Sequence, residues 1–258
     1  MNEKRRIRLR IAYHGGAFHG WQRQPVVRTV EGDLTAAITH MTRVPILLWG
    51  ASRTDAGVHA GGQVAVFETR SPYSPMSFYK GINHLTESDV AVLEADEVSP
   101  YFHPRHDARG KVYRYWIADS HHVQPMHRDR SWHHRHPLDE ERMHEVAQQL
   151  VGHHDFSSFR AAGCEASSPI RELYEVSVRR TDTNLVCVQV AGSAFLRYMV
   201  RAIVGTLVEV GRGCRTPEWF AAAVAAKVRS ASGPTAPPHG LSLERVFYPD
   251  WPWASESR

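Results

Sequence analysis

Alternating apolar and charged residues at the start of the chain predict a half-buried β-strand. From Arg6 to Tyr13, positions 7, 9, 11 and 13 are apolar or aromatic, and positions 6, 8 and 10 are arginines. Successive side chains of a strand point to opposite faces, so one face is expected in a core. The other face is expected to be open and cationic.

A helical period follows this strand. Val30, Leu34, Ile38 and Met41 recur at spacings of four, four and three, and Thr29 is a residue type that caps helix N-termini. Further strands are expected at 46–49, 63–68 and 90–98, a weaker helix at 77–84, and a Gly- and Ala-rich loop at 51–62. The order strand, helix, strand, strand, helix, strand is typical of a split βαβ sheet.

The C-terminal half mixes helices and strands in a similar way, without a detectable sequence repeat. Its strongest pattern runs from Phe195 to Gly211, where apolar residues at spacings of three and four predict an amphipathic helix. Shorter helices are expected at 139–151 and 218–228, and strands at 111–118, 174–178, 186–190 and 242–248. We therefore expect two α/β domains, residues 1–108 and 109–250, and a loose tail at 251–258.

Composition narrows the class of protein. The 258 residues are 42% hydrophobic and 22% charged, an ordinary globular composition that excludes wholesale disorder, collagen and coiled coils. The formal net charge is +4, and of 31 basic residues only four are lysines. Arginine binds phosphate in a bidentate geometry, so this bias fits an anionic partner. It fits a GC-rich genome equally well.

Several features point to the cytoplasm. No stretch reaches the roughly 20 apolar residues of a membrane helix, and Arg8 and Arg10 interrupt the apolar core that a signal peptide would need. Three cysteines form no CxxC pair, and an odd number argues against a disulfide framework. The histidine-rich segment 121–136 lacks the spacing of a zinc site, so we expect a surface loop there.

The segment Ser52–Ala60 is the densest candidate for chemistry. It lies between two predicted strands and holds Asp55, Arg53 and His59 among small residues that allow close approach of another chain. Taken alone, such an aspartate is more often a turn residue that accepts hydrogen bonds from backbone amides. A metal site would need a third ligand, which is not nearby in the sequence. The residues by themselves leave these alternatives open.

A series of motifs in a fixed order, spread over more than two hundred residues, resembles the bacterial tRNA pseudouridine synthase I family. The motifs are Gly20–Gln24 (GWQRQ), Arg53–Ala60 (RTDAGVHA), Tyr113–Tyr115 (YRY), His154–Cys164 (HDFSSFRAAGC), Phe195–Arg201 (FLRYMVR), Ile203–Gly205, Pro234–Pro237 and His239–Leu241. Each motif alone is a weak signal, whereas the ordered set is specific.

The resemblance implies a fold and a reaction. The fold is α+β, the pseudouridine synthase fold, in which two ferredoxin-like domains with antiparallel sheets are joined across a central catalytic cleft. The reaction is the isomerisation of uridine to pseudouridine at positions 38, 39 and 40 of the tRNA anticodon stem-loop. The family's catalytic carboxylate maps onto Asp55, and no metal or organic cofactor is used. The resemblance also implies a homodimer in which one tRNA contacts both subunits.

Further roles follow from the resemblance. Tyr113 matches the position that packs on the target base and is a candidate general base at C5, although a strand tyrosine can equally be a core residue. Arg201 matches the arginine that pairs with the catalytic aspartate, and Arg53 matches the one that enters the helical stack; Leu241 belongs to the same substrate set. Residues expected on the tRNA track are Gln22, Arg23, Arg28 and Arg197, with Arg6, Arg8 and Arg10 on the first strand.

Helix geometry agrees with two of these assignments. Arg197 and Arg201 are four residues apart, so on a helix from Phe195 they would share one flank beside the apolar stripe.

The chain departs from the family pattern at three places. His14 stands where an Asp is usual, Ser52 where a Gly is usual, and Thr86 where a Leu-Pro pair is common. These departures bear on loop shape and on the fit of the tRNA. The main rival function is an RNA-binding module or RNA chaperone without catalysis. A hydrolytic nucleosidase or nuclease is a second rival, disfavoured because a second acid and a metal cluster are missing.

Overall fold

The alternating N-terminal segment forms the central strand of a sheet. The computed structural model describes residues 3–249, and its first unit comprises residues 3–109 with 243–249. Its elements are β1 (Arg5–Tyr13), α1 (Val30–Thr42), β2 (Leu48–Gly50), β3 (His59–Thr69), α2 (Pro75–Leu85), β4 (Val90–Val98) and β10 (Leu241–Phe247). β1 pairs antiparallel with β3 and β4, and β3 also pairs with β2 and neighbours β10.

One face of β1 lies in the core of this unit, as its alternation predicts. Ile7, Leu9 and Ile11 are fully buried. Complete burial of such a side chain stabilises the fold by about 1.5–3 kcal/mol. The rings of Phe67 on β3 and Phe78 on α2 meet edge to face at 5.0 Å, which fixes the helix against the sheet.

The other face of β1 is not open, and the prediction of an exposed cationic face is wrong. Arg8 is only 7% exposed and donates two hydrogen bonds to Asp96 on β4, at 3.0 and 2.6 Å. Arg6 bonds Glu68 on β3 at 2.9 Å, and Arg10 pairs with Glu94. Because β1 is flanked on both sides, carboxylates on its neighbours meet each arginine. The guanidinium of Arg8 also lies 5.4 Å from the Phe102 ring, so the segment after β4 covers this face.

The second unit, Gly110–Ser242, is built mainly on antiparallel strand pairs. Its strands are β5 (Gly110–Ala118), β6 (Trp132–His133), β7 (Gly152–Asp155), β8 (Ile170–Arg180) and β9 (Val186–Gly192). Its helices are α3 (Glu140–Ala147), α4 (Met199–Gly211) and α5 (Pro217–Ala225). Neighbouring strands follow the order β5, β9, β8, β7, and β6 adds a short parallel pairing to β5. Helix α3 packs on β8 and α4.

Two element boundaries differ from the predictions for identifiable reasons. β3 begins at His59 instead of position 63, because Gly62 lets the neighbouring backbone come close: a Cβ there would lie 2.3 Å from the Glu244 carbonyl oxygen. α4 begins at Met199 instead of Phe195, because Tyr198 has a left-handed φ of 62° that interrupts the helix. The short strands β6 and β7 were not predicted.

The limits of the two units differ from the predicted domains 1–108 and 109–250, and the first unit ends at Arg109. Contacts group residues 243–249 with the N-terminal unit, whereas the predicted second domain ran to residue 250. The predicted loose tail at 251–258 lies outside the described residues. Within residues 3–249, no helix has both the length and the apolar character required to cross a membrane.

The segment 119–138 is anchored by a buried ion pair at its ends. Asp119, with a side chain 2% exposed, accepts two hydrogen bonds of 2.8 Å from Arg180 and one of 2.9 Å from the Leu138 amide. Between these anchors most of the histidine-rich segment is exposed, as predicted. Ser131 and His134 are buried, and the His134 ring lies 5.7 Å from that of Trp132.

Removing the buried carboxylate should destabilise this unit. We expect Asp119→Ala to lower the free energy of unfolding by about 2–4 kcal/mol, because Arg180 and the Leu138 amide lose a buried partner. Glu209→Ala is the control, since its 3.4 Å pair with the 39% exposed Arg212 is worth less than about 1 kcal/mol. Urea denaturation of both variants measures the difference, and equal losses would contradict this assignment.

The loss should also depend on pH. Burial disfavours ionisation of Asp119, but hydrogen bonds from Arg180 and Leu138 outweigh it, and the pKa of this carboxyl is lowered. The stabilisation is therefore present above the unfolded-state pKa and lost as the pH falls through the lowered folded-state pKa. The gap between wild type and Asp119→Ala should narrow in acid.

Candidate active site

The candidate catalytic carboxylate, Asp55, lies on the loop that connects β2 to β3. We call residues 51–58 the aspartate loop. Ser52 and Thr54 are buried, whereas Arg53 between them is exposed and Asp55 is half-buried. Along residues 52–55, buried side chains therefore alternate with exposed or half-buried ones. This arrangement offers a carboxylate and a guanidinium from a loop in which Ala51, Ser52, Thr54 and Val58 are buried.

Two hydrogen bonds hold Thr54, the residue before the carboxylate. The amide of Trp21 donates to the Thr54 carbonyl oxygen at 3.0 Å. The hydroxyls of Tyr13 and Thr54 are hydrogen-bonded at 2.7 Å in a buried setting. Further along, the amide of Gly57 donates to the Phe18 carbonyl at 3.3 Å. The end of β1 and the segment after it therefore fix the position of the loop.

Gly20 allows this close packing. Its φ of 96° is left-handed, and a Cβ on it would lie 2.8 Å from the Thr54 carbonyl oxygen. Trp21, which is 2% exposed, packs in the same way against Gly50, where an added Cβ would come within 2.6 Å of the indole. The motif that begins at Gly20 is thus a support for the aspartate loop.

The departures from the family pattern are accommodated locally. The His14 ring lies 4.5 Å from that of His59, and the Gly15 amide donates to Nδ1 of His59 at 3.0 Å. Ser52 is 8% exposed and is hydrogen-bonded through its backbone to the side chain of Gln63. Thr86 ends α2, donating its hydroxyl to the Ile82 carbonyl at 3.0 Å. Each departure is therefore part of a hydrogen-bonded or stacked contact.

In the second unit, Tyr113 lies within β5. It is 6% exposed, lies opposite Val190 in the sheet, and its ring meets that of Phe195 edge to face at 5.0 Å. The neighbouring motif thus holds this aromatic ring in a defined orientation. Both interpretations of Tyr113, core residue and base-packing residue, are compatible with this burial.

Arg201 is held by a reciprocal pair of hydrogen bonds. Its Nε donates to the Ala236 carbonyl at 2.7 Å, and the Ala236 amide donates to the Arg201 carbonyl at 3.1 Å. The prediction that Arg197 and Arg201 share a helix flank is wrong, because Arg197 precedes the helix. The two guanidinium groups nevertheless lie over one ring, that of Tyr198, at 5.0 and 4.7 Å. The two arginines are therefore close because both make cation–π contacts with Tyr198, and not because of helical spacing.

Tyr115 supports the same region and was not identified from the sequence. It is fully buried and donates its hydroxyl to the Pro237 carbonyl at 2.7 Å. Burial raises the pKa of Tyr115 above its ordinary value, which the charge of Arg201 opposes. Leu241, 6% exposed, follows directly after Gly240, whose Cβ would meet the Tyr115 ring at 2.6 Å. The sequence signal for Tyr115 was its place as the second tyrosine of the YRY motif, which appeared above only as part of the family resemblance.

The residues expected to meet tRNA differ in their availability. Gln22 and Arg23 are exposed on the loop after Trp21. Arg28 is engaged by two carboxylates, with bonds of 2.6 and 2.8 Å to Asp89 and 2.9 Å to Asp33. The hydrogen bonding that Arg28 donates to Asp89 is the main reason that the pKa of Arg28 is raised. Its charge is thus neutralised within the protein, which argues against its predicted phosphate contact.

The candidate residues form two groups. Gln22, Arg23, Arg53 and Asp55 belong to the first unit, and Tyr113, Arg197, Arg201 and Leu241 belong to the second. No cluster of three or more His, Cys, Asp or Glu side chains in residues 3–249 is placed to hold a metal ion.

Comparison with known proteins identifies the family. A family model described as tRNA pseudouridine synthase matches residues 10–107 and 146–249, more than half of the chain. The chain belongs to the tRNA pseudouridine synthase family. The tRNA pseudouridine synthase A of Myxococcus xanthus is 42% identical over 247 residues, covering 96% of this chain and 93% of that protein. The protein of the same name from Geobacter sulfurreducens is 44% identical over 244 residues, covering 95% and 100%.

Solved structures give a weaker likeness. A chain from a Cbf5-Nop10-Gar1 complex matches at a TM-score of 0.38 and 11% identity, covering 93% of this chain and 59% of that one. A likeness at this level carries no argument about fold or function. The family assignment rests on the sequence relatives.

Adding a side chain at Gly20 should lower the stability and the activity of this pseudouridine synthase by more than its left-handed φ alone would cause. We expect Gly20→Ala to lower the free energy of unfolding by about 1–3 kcal/mol and kcat/KM on tRNA by about tenfold or more, because the new Cβ displaces Thr54. Gly213→Ala is the control, since its φ of 73° is also left-handed but nothing lies within 4 Å of the added Cβ. Equal losses of activity in the two variants would contradict the support role.

Proposed function

We propose that this chain isomerises uridine to pseudouridine at positions 38, 39 and 40 in the anticodon stem-loop of tRNA, with Asp55 as the catalytic carboxylate. The observation that carries the proposal is the aspartate loop itself. In a chain of this family, the half-buried Asp55 follows Thr54, whose backbone and side chain are both fixed by hydrogen bonds. A preorganised acid of this kind is what the reaction needs.

The chemistry explains why one carboxylate is enough. The bond between ribose C1′ and uracil N1 breaks, the uracil turns while still bound, and C5 bonds to C1′. C5 then loses its proton and N1 takes one up, so the product is an isomer of the substrate. Positive charge develops at C1′ as the glycosidic bond breaks, and an anion can stabilise or trap that centre. Water has to be excluded, since hydrolysis would release the base. The isomerisation consumes no second reactant and requires no second acid to activate water.

Arg53 is proposed to hold the flipped nucleotide out of the stem. The base cannot turn over while it is stacked and paired, so the nucleotide must leave the helix first. Arg53 is exposed, yet both of its neighbours are buried and hydrogen-bonded. A guanidinium anchored in this way can occupy the vacated space in the stem beside the carboxylate.

The residues of the second unit complete the proposed site. Tyr113 is proposed to pack on the target base, and Leu241 to contribute to the same surface. Arg201 is proposed to pair with the carboxylate and keep it ionised, in a cleft between two ferredoxin-like domains. This pairing would favour the charged form of the carboxylate, so Arg201→Gln should lower kcat on tRNA, measured as tritium release.

The partner and setting are part of the same proposal. Gln22, Arg23 and Arg197 are proposed to contact the tRNA backbone, and the active form is proposed to be a cytoplasmic homodimer that engages one tRNA with both subunits. The family assignment supports the tRNA. A monomer in light scattering at micromolar concentration would contradict the dimer.

The rival function is an RNA-binding module or RNA chaperone. Such a protein would need exposed cations but no anchored carboxylate. The hydrogen bonds that fix the residue before Asp55 therefore favour catalysis over simple binding.

Replacing the carboxylate should separate these functions. We expect Asp55→Asn to lower kcat on C5-tritiated tRNA by on the order of a thousandfold or more, because charge stabilisation at C1′ is lost while shape is retained. Tritium release measures turnover, and filter binding should show tRNA affinity retained. Asp182→Asn is the control, an exposed acid in the turn between β8 and β9 with the same change of charge. Normal turnover in Asp55→Asn would remove this carboxylate from the mechanism.

A further inference from the structure

Gln63 is a fully buried polar residue on β3. Its carboxamide oxygen accepts hydrogen bonds from the amides of Ser52 and Val64, both at 3.2 Å. Its carboxamide nitrogen donates to the Ser52 carbonyl at 2.7 Å. Both polar atoms of the side chain are therefore used, and both bind the backbone of the same residue of the aspartate loop.

This side chain continues a strand pairing past the point where the backbone ladder stops. β2 and β3 pair as far as Gly50 and Ala65, and the Ala51 amide still donates to the Val64 carbonyl at 2.8 Å. At Ser52 the Gln63 carboxamide takes the place of a backbone partner. A carboxamide carries an acceptor oxygen and an NH2 donor side by side, so it can bind the N–H and the C=O of one residue at the same time. The chain can therefore leave the sheet at Ser52 without losing its hydrogen bonds.

We propose that Gln63 is a positioning residue for catalysis, which sets the place of the Asp55 carboxylate by fixing the backbone three residues earlier. The inference rests on the proposed function of Asp55. Gln63 holds the start of the segment, and Tyr13 with Trp21 holds Thr54. The backbone on which Arg53 and Asp55 stand is thereby fixed at two points.

The same unit contains a matching carboxamide that has no connection with the aspartate loop. Asn83 on α2 accepts from the Val92 amide at 2.7 Å and donates to the Val92 carbonyl at 2.8 Å. It therefore forms the same two bonds, but to β4. Loss of Asn83 leaves two backbone groups without their partner and loss of Gln63 leaves three, but only the loss of Gln63 releases the residues before Asp55. The pair separates a structural role from a positioning role.

The test compares Gln63→Leu with Asn83→Leu in the full-length protein. For Gln63→Leu we expect kcat on tRNA to fall about tenfold to a hundredfold with KM changed less than about threefold, because the carboxylate is misplaced while the tRNA surface is intact. For Asn83→Leu we expect kcat to stay within about twofold of wild type although stability is also lost, because its two bonds reach only β4. Equal kcat values in the two folded variants would overturn the proposal.

A second variant covers the case in which Gln63→Leu does not fold. Gln63→Glu has nearly the same shape, and its ionised form places an oxygen against the Ser52 carbonyl. Its protonated form can donate to that carbonyl and still accept from the amide. The ratio of variant to wild-type kcat should therefore rise as the pH is lowered, by about tenfold across the titration of the introduced carboxyl. A ratio that is independent of pH would overturn the proposal.

These outcomes are distinct from a failure of the proposed function. If wild type itself forms no pseudouridine in tRNA, the function of Asp55 falls and the role of Gln63 falls with it. If wild type is active and the Gln63 variants behave like Asn83→Leu, only the positioning role is overturned.

Discussion

The carbonyl oxygen of Thr54 accepts a hydrogen bond from the Trp21 amide, and the Thr54 hydroxyl is hydrogen-bonded to the Tyr13 hydroxyl. This double hold is the constraint on which the rest of the candidate site depends, because it fixes the backbone directly before Asp55. Gly20 has to be a glycine to let the two segments approach, and β1 has to end at Tyr13 to deliver the phenol. The sheet of the first unit is therefore a support for one carboxylate.

A similar logic applies in the second unit. Tyr115, buried in β5, binds the Pro237 carbonyl, and Ala236 one residue earlier exchanges two hydrogen bonds with Arg201. A strand thus orders a loop, and the loop orders a guanidinium on the first turn of α4. In both units the candidate residues are held by irregular backbone whose shape is set by buried polar contacts with strands.

Sequence patterns predicted the elements whose apolar period is long and unbroken. β1 and α1 form where expected, with Thr29 as the cap. The patterns failed where a single backbone conformation decides, as at Tyr198, whose positive φ delays the start of α4. They failed again where charges are paired across strands. The alternation predicts that Arg8 points away from the apolar face, but it does not predict that Asp96 on the neighbouring strand accepts a hydrogen bond from Arg8. Such contacts depend on register, which a single strand does not contain.

The resemblance to the family motifs identifies Asp55 as a candidate. The residues that fix the backbone before Asp55 are not distinctive in the sequence. Gln63 reads as the first residue of an apolar strand, and its two bonds to Ser52 arise only when β2 and β3 pair. A polar side chain at a fully buried strand position is the one signal that could have identified it.

The most direct test of this account is a map of pseudouridine in tRNA from cells lacking the protein, complemented with wild type or with Asp55→Asn. We expect pseudouridine at positions 38, 39 and 40 to be absent without the protein, restored by wild type, and not restored by the variant. Pseudouridine at these positions in cells carrying only Asp55→Asn, or no change at them when the protein is removed, would contradict the account.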